Sequence, residues 1–168
     1  MRIPYSICLI AAAALAGCAT STPPAGAPPA ATAGAAQPAG PSLADEQQRL
    51  AEALAGTPVT TELTPDGRLR VQVPADFSFD VGRAVVKPPL AAVLELMASG
   101  LKKQRVTTIR LAAPADPKGA GGLLLAQDRA ASARDYLVSR GVLATRFGPL
   151  TRADNVEIVV SNPASAAP

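Results

Sequence analysis

The chain has 168 residues, with 16 Lys and Arg against 13 Asp and Glu, no His, no Trp and 3% aromatic residues. This length fits one domain with a tail. The absence of His removes the commonest general base and metal ligand. A net charge of +3 with so few aromatic side chains argues against nucleic acid as a partner. The composition therefore favours a binding or structural protein over an enzyme, and we expect no cofactor and no metal.

The N-terminus combines a short apolar run with a cysteine. The run from Ser6 to Leu15 has the length of a signal-peptide core, whereas a membrane-spanning helix needs about 20 residues. It ends in Leu15-Ala16-Gly17-Cys18, which resembles the lipobox of bacterial lipoproteins. The resemblance implies a signal peptide over residues 1–17, cleavage before Cys18, and acylation of Cys18 with chains such as palmitate. The alternative is an ordinary cleaved signal peptide.

The cysteine count supports lipidation of Cys18. Cys8 lies inside the signal peptide, so Cys18 would be the sole cysteine of the mature chain and would lack a disulfide partner. Ala19 follows it. In lipoproteins of Gram-negative bacteria, Asp at that position tends to retain the protein at the inner membrane, so Ala19 favours the outer membrane. We expect a protein anchored in the lipid bilayer through acylated Cys18, on the periplasmic face of the outer membrane.

A spacer follows the cysteine. Eighteen of the 24 residues from Ala19 to Ser42 are Ala, Pro or Gly, and none is charged. Such a segment buries too little apolar surface to offset its ordering entropy. Residues 18–42 are therefore predicted to be the lipidated Cys and a disordered tether, which spans about 25–30 Å as a coil and roughly 75 Å as polyproline II.

Order is predicted to begin near Ser42. The segment Ser42-Leu43-Ala44-Asp45 has the form of a helix N-cap, and leucines recur at helical spacing up to Gly56. Two apolar stretches, 59–63 and 69–73, flank the turn sequence Thr64-Pro65-Asp66-Gly67. The second stretch alternates apolar and polar residues. A short helix and a β-hairpin are expected.

The later segments alternate between helix and strand. The predicted elements are a helix opening at Pro88-Pro89, a strand over 106–112, a Gly/Pro-rich loop over 113–122, a helix over 123–140, a strand over 156–160 and a loose tail over 162–168. One apolar stripe marks the first of these helices: Leu90, Val93, Leu94, Met97 and Leu101. The order predicts an α/β sandwich with helices packed on a mixed sheet.

Several segments resemble the OmpA-like peptidoglycan-binding domain. Residues 77–84 are similar to that family's opening Phe-x-x-Gly segment, residues 129–142 to its Arg-Ala-x-x-Val-x-x-Tyr-Leu…Gly-Val helix, and residues 155–158 to its last strand. The resemblance covers about residues 69–161. It implies an OmpA-like fold for a domain over 43–161, with helices packed on one face of a small mixed sheet.

The resemblance also implies a ligand site. In that family an Asp in a loop and the Arg of the Arg-Ala helix bind diaminopimelate of the peptidoglycan stem peptide. By resemblance, Asp116 would receive the ligand ammonium and Arg129 its carboxylate, because a zwitterion needs both charges. The chain is thus expected to tether the outer membrane to peptidoglycan without a covalent bond. Asp128 is a competing partner for the guanidinium.

The loop around this site departs from the family pattern and leaves an alternative open. Ala113-Pro114-Ala115 stands where the family has Gly-His-Thr, and Leu123-Leu124-Leu125 replaces a Tyr-Asn pair. The leucines are expected in the core. The alternative is an envelope adaptor that uses the altered loop to bind a protein instead of peptidoglycan. No residue spacing suggests a catalytic pair. Lys102, Lys103 and Arg105 are expected to form a solvated helix end, with contact to an anionic polymer as the other interpretation.

Overall fold

The computed structural model describes residues 42–116 and 122–163. The expected signal peptide, Cys18, the tether as far as residue 41 and residues 164–168 of the tail lie outside the described residues. Residues 117–121 of the predicted loop lie outside them as well. No helix in the described ranges combines the length and apolarity that crossing a bilayer requires.

The described residues form helices and one five-stranded sheet. The helices are α1 (Leu43–Ala53), α2 (Ala75–Ser78), α3 (Pro88–Leu101) and α4 (Gly122–Ser139), with a 3₁₀ turn over Ala144–Arg146; the strands are β1 (Thr60–Leu63), β2 (Leu69–Val73), β3 (Thr108–Ala113), β4 (Phe147–Arg152) and β5 (Val156–Ser161). The predicted helices and the hairpin are therefore present at nearly the predicted positions.

The N-terminal helix begins where the sequence predicted. The Ser42 hydroxyl accepts a hydrogen bond from the amide of Asp45 at 3.1 Å, and the Asp45 carboxylate accepts one from the amide of Ser42 at 3.0 Å. Both amides would otherwise lack partners at the helix start. The capping residues therefore determine the point at which the ordered domain begins.

The sheet has the strand order β1-β2-β5-β3-β4, and only β3 and β4 run parallel. Val71, Ile158 and Leu111 are paired across the three central strands. Since paired residues point to the same face, these side chains form one apolar row, and all three are buried. The opposite face carries polar residues such as Arg70 and Arg110, so the helices cover one face of the sheet.

Helix α3 supplies the other half of the core. Every residue of its predicted apolar stripe is buried: Leu90, Val93, Leu94, Met97 and Leu101. Leu137 of α4 and Leu50 of α1 join the same core cluster. The hydrophobic period of the sequence therefore determined correctly which face of α3 packs inward.

The edge strand β4 was not predicted. The segment contains Gly148 and Pro149, which are uncommon inside strands. Proline is tolerated here because β4 is an edge strand that pairs only with β3. Between the pairs Ile109–Phe147 and Leu111–Leu150, β4 advances one residue more than β3, which is an irregularity of the β-bulge kind. Pairing with β3 therefore outweighs the weak local strand preference.

The packing of α1 on α3 depends on a glycine. The Glu46 carboxylate is buried at 4% exposure and accepts a hydrogen bond from Arg49 Nε at 3.0 Å. Arg49 Nη2 in turn donates to the carbonyl oxygen of Leu96 at 2.8 Å. A Cβ added at Gly100 would overlap that carboxylate. Gly100 therefore leaves the space in which the Glu46–Arg49 pair docks α1.

We expect Gly100→Ala to lower the free energy of unfolding by about 1–3 kcal/mol, the usual cost of overpacking. Urea unfolding measures the change. Ser99→Ala, at the neighbouring exposed position, is the matched control and should change stability little. Glu46→Ala removes the overlapping group, so the double variant with Gly100→Ala should be more stable than the sum of the single changes predicts. Strict additivity would contradict this account of the α1–α3 contact.

Candidate functional site

The structure brings the two predicted ligand residues together. Asp116 follows β3 in the loop that begins at Pro114, and Arg129 lies on α4 two turns after its start. Their side chains form an ion pair, with Arg129 Nη2 2.6 Å from Asp116 Oδ1. The pair thus joins the end of a central strand to the helix that packs on it.

Arg129 is enclosed by main-chain carbonyl groups. Its Nε donates to the carbonyl oxygen of Arg83 at 2.9 Å, Nη1 to that of Pro114 at 2.8 Å, and Nη2 to that of Asp80 at 2.9 Å. The residue is only 2% exposed. The Phe79 ring lies under the guanidinium, 5.3 Å from the ring centroid to Cζ. Four of the five N–H groups are therefore used within the described residues, and one on Nη1 is left.

The segment after α2 has the local structure needed to surround this cation. Phe79 is extended and buried after the helix ends at Ser78. The amide of Arg83 donates to the carbonyl of Asp80 at 3.1 Å, which closes a turn. Gly82 in this turn has φ of 68°, a conformation that other residues adopt at a cost. The turn directs the carbonyl groups of Asp80 and Arg83 toward Arg129.

Asp116 is held from two sides. Its Oδ2 accepts a hydrogen bond from the amide of Gly82 at 2.6 Å, and its Oδ1 accepts one from Arg129. These two donors, the Gly82 amide first and the Arg129 guanidinium second, hold the pKa of Asp116 below its ordinary value. The carboxylate is therefore ionised at neutral pH.

The site presents one negative and one positive group at the same place. From the described residues, each Asp116 oxygen accepts one hydrogen bond, and a carboxylate oxygen has capacity for a second. A ligand ammonium group could donate hydrogen bonds to these oxygens. A ligand carboxylate would be met by the unused N–H of Arg129, since the amide of Gly82 already donates to Asp116. The arrangement is suited to binding a small zwitterion.

Sequence reasoning missed the groups that build the cage. The carbonyls of Asp80, Arg83 and Pro114 are main-chain groups, and no side-chain pattern signals their role. The one usable signal is the likeness of residues 77–84 to a family's opening segment, which places Phe79 and Gly82 near the site. Asp128, the expected competitor for the guanidinium, is exposed and makes no ion pair within the described residues.

The expectation that the leucine run of α4 lies in the core was wrong for two of its members. Leu123 is 57% exposed and Leu124 is 66% exposed. Val81 and Val85, on the segment that surrounds Arg129, are 87% and 71% exposed. Both segments that contribute to the ion-pair region thus carry apolar side chains at the surface.

The described residues contain no group of three or more Cys, Asp and Glu side chains placed to hold a metal ion. The charged groups of the candidate site are one carboxylate and one guanidinium, already bonded to each other.

No family model matches the sequence, and no curated protein matches it. Solved structures do match. A MotB-like protein from Desulfovibrio vulgaris has a TM-score of 0.58 and 14% identity, covering 71% of this chain and 92% of that one. The cell wall anchor of the T6SS from Pseudomonas aeruginosa has a TM-score of 0.57 and 21% identity, covering 68% and 95%. The periplasmic domain of MotB has a TM-score of 0.56 and 16% identity, covering 67% and 74%.

At these identities the likeness is one of fold. The predicted fold class is confirmed: the chain has an OmpA-like α/β architecture, with helices packed on one face of a mixed five-stranded sheet.

The lowered pKa of Asp116 makes the site acid-sensitive. The pKa is about 3.9 in an unfolded chain and lower in the folded one. The stabilisation from the ion pair is therefore fully present at a pH above the pKa of Asp116 in the unfolded chain. It is lost as the pH falls through the pKa of Asp116 in the folded chain. We expect the carboxyl ¹³C resonance of Asp116 and the amide resonance of Gly82 to titrate together, with a midpoint below 3.9.

The matching variant is Asp116→Asn, which keeps the side-chain size and removes the titrating group. Its free energy of unfolding should fall less steeply below pH 4 than that of the unaltered chain, in urea titrations at a series of pH values. A titration midpoint for Asp116 at or above the pKa of Asp in an unfolded chain would contradict the described hydrogen bonds.

Proposed function

We propose that this protein is an outer-membrane lipoprotein whose OmpA-like domain binds peptidoglycan without a covalent bond and so links two layers of the cell envelope. The observation that carries the proposal is the convergence of Asp116 and Arg129, from the loop after β3 and from α4, in one ion pair at the end of β3. On this proposal the function is binding and not catalysis.

The ligand we propose is the zwitterionic end of the peptidoglycan stem peptide. Its ammonium would bind Asp116, and its carboxylate would bind Arg129. One structure of similar fold is a cell wall anchor, and another is a periplasmic domain. Those descriptions belong to the neighbours, and they support an envelope role here because the fold is shared.

We further propose that Cys18 carries the acyl chains and that residues 19–41 separate the domain from the membrane. The support is the tetrapeptide Leu15-Ala16-Gly17-Cys18 and the lack of a second cysteine beyond it. Several acyl chains anchor a protein nearly permanently, because each buried CH₂ contributes about 0.8 kcal/mol. The tether then lets the domain reach a layer that does not touch the bilayer.

A second function, docking of an envelope protein, is favoured by one observation. Leu123 and Leu124 are exposed at the start of α4, and Val81 and Val85 are exposed on the segment around Arg129. Exposed apolar side chains gathered near one site are typical of contact surfaces. The two functions differ in the residues on which they depend.

Pelleting with purified peptidoglycan tests the first function. The mature chain from residue 18, carrying Cys18→Ser so that no lipid is attached, should sediment with the polymer. Asp116→Asn should weaken binding by about tenfold or more, because a hydrogen bond to a charged group contributes about 1.5–3 kcal/mol. Asp128→Asn, which removes the same charge from an exposed position on α4, should leave binding unchanged.

Two further results of that experiment decide between the functions. Leu124→Gln should not affect pelleting if peptidoglycan is the ligand. Absence of pelleting by the unaltered chain would refute the tether and leave the adaptor. Arg129→Lys is a better second variant than Arg129→Ala, since it keeps the buried positive charge that the surrounding carbonyls require.

Lipidation is tested in cells with a fatty-acid probe. The unaltered chain should incorporate the label and fractionate with the outer membrane, whereas Cys18→Ser should incorporate none, because the acceptor thiol is gone. Cys8→Ser is the matched control and should label normally, since that residue would leave with the signal peptide. Equal labelling of the Cys18→Ser variant would refute the anchor.

A further inference from the structure

A pocket at the other end of the domain collects positive charge. It has a volume of about 170 Å³ and is lined by Lys102, Arg105, Gly141, Leu143 and Arg146. None of these lining residues is acidic. Leu101 and Thr107, which Arg146 contacts, lie at the end of α3 and before β3. The pocket is thus formed where α3 and α4 end.

Arg146 is a buried cation without a carboxylate partner. It is 8% exposed, and its donors are bonded to the carbonyls of Thr107 at 2.9 Å and Leu101 at 2.7 Å, and to the Thr107 hydroxyl. These contacts satisfy the carbonyl of Leu101 at the end of α3 and that of Thr107, but they supply no negative charge. Within the described residues, Lys102, Arg105 and Arg146 form no ion pair. Three positive charges are therefore left without a counter-ion.

The nearest acidic groups along the helices are already used. Glu95 of α3 pairs with Arg140 at 3.1 Å, and Asp135 of α4 pairs with Arg134 at 2.8 Å. Neither carboxylate lines the pocket. Within the described residues, no carboxylate lines the pocket or pairs with its three cations, which favours an anionic occupant.

The lining is held in place by the end of α4. Gly141 has φ of 93°, and the amides of Gly141 and Val142 donate to the carbonyls of Val138 and Leu137 in the pattern of a Schellman cap. The aliphatic part of Lys102 lies over Gly141, since a Cβ there would contact Lys102 Cδ at 3.5 Å. The Gly141 side of the pocket is thus fixed by the helix cap.

The pocket lies far from the ion pair and close to the start of the domain. Thr107 contacts Arg146 and Pro114 contacts Arg129, so the two sites are about 23 Å apart along an extended chain. Gln104, between the basic residues of the α3 end, donates to the carbonyl of Ser42 at 3.4 Å. The chain therefore enters the described domain beside the pocket.

We propose that this pocket binds the phosphate group of an anionic lipid headgroup. A phosphate offers several acceptor oxygens to Lys and Arg donors. Leu143 in the lining is 57% exposed, and Val106, next to Arg105, is 75% exposed. Exposed apolar side chains beside basic ones favour a membrane surface over a free ion as the ligand, because the apolar side chains can enter the bilayer while the basic ones bind headgroups. The inference rests on the proposed lipid anchor only for its setting, because an anchored chain would keep the domain within reach of a bilayer.

Vesicle sedimentation tests the proposal. The mature chain carrying Cys18→Ser should bind vesicles of phosphatidylglycerol and not vesicles of phosphatidylcholine. The double variant Lys102→Gln/Arg105→Gln should bind about 25-fold more weakly, at about fivefold for each basic residue near the surface. Arg110→Gln/Arg152→Gln makes the same charge change outside this pocket and should retain binding within about twofold. All four side chains are exposed, so each variant is expected to fold, which thermal unfolding checks.

Three outcomes would overturn the proposal. Equal losses of vesicle affinity in the two double variants would show that the vesicles attract the positive charge of the domain in general and that the pocket has no special role. Absence of binding to phosphatidylglycerol vesicles would refute a lipid ligand. Saturable binding of inorganic phosphate, detected by chemical-shift changes at Gly141 without vesicle binding, would assign the pocket to a soluble anion. Peptidoglycan pelleting by Lys102→Gln/Arg105→Gln should be unchanged, so failure here is distinguishable from failure of the proposed tether.

Discussion

The burial of one guanidinium constrains the whole end of the domain that contains the candidate site. Arg129 is almost fully removed from water, so its charge must be met by protein groups. Three main-chain carbonyls and Asp116 meet it. Those four acceptors come from two segments, the turn after α2 and the loop after β3. Satisfying a single cation therefore holds two loops against α4.

This constraint also explains why the site is preassembled. Asp116 is already ionised, oriented by Gly82 and placed against Arg129. A zwitterionic ligand would meet charges that need little reorganisation, which lowers the entropic cost of binding. At the far end, Arg146 shows the contrasting case: its hydrogen bonds are satisfied by carbonyls, but its charge has no carboxylate within the described residues. One end of the domain pairs its charges, and the other accumulates positive ones.

Local sequence was a good guide wherever the structure is local. The Ser42 cap, the hairpin turn at residues 64–67 and the leucine stripe of α3 each depend on neighbours within one or two turns, and each was predicted. Strand β4 was missed because Gly148 and Pro149 have weak strand preference and only pairing with β3 makes them extended. Leu123 and Leu124 were expected in the core because hydrophobicity alone does not reveal which face of a helix is covered.

The sequence by itself determined most of the helices and strands, the fold class and the identity of the two residues that meet at the candidate site. It did so because hydrophobic periodicity, helix caps and turns depend on residues that are close in sequence. The resemblance to the OmpA-like domain indicated Asp116 and Arg129. Only the tertiary structure decided that these residues bond to each other, that carbonyl groups enclose Arg129, and that Lys102, Arg105 and Arg146 share a pocket. Main-chain acceptors carry no side-chain signature, and charges distant in sequence interact only once the sheet and helices have brought them together.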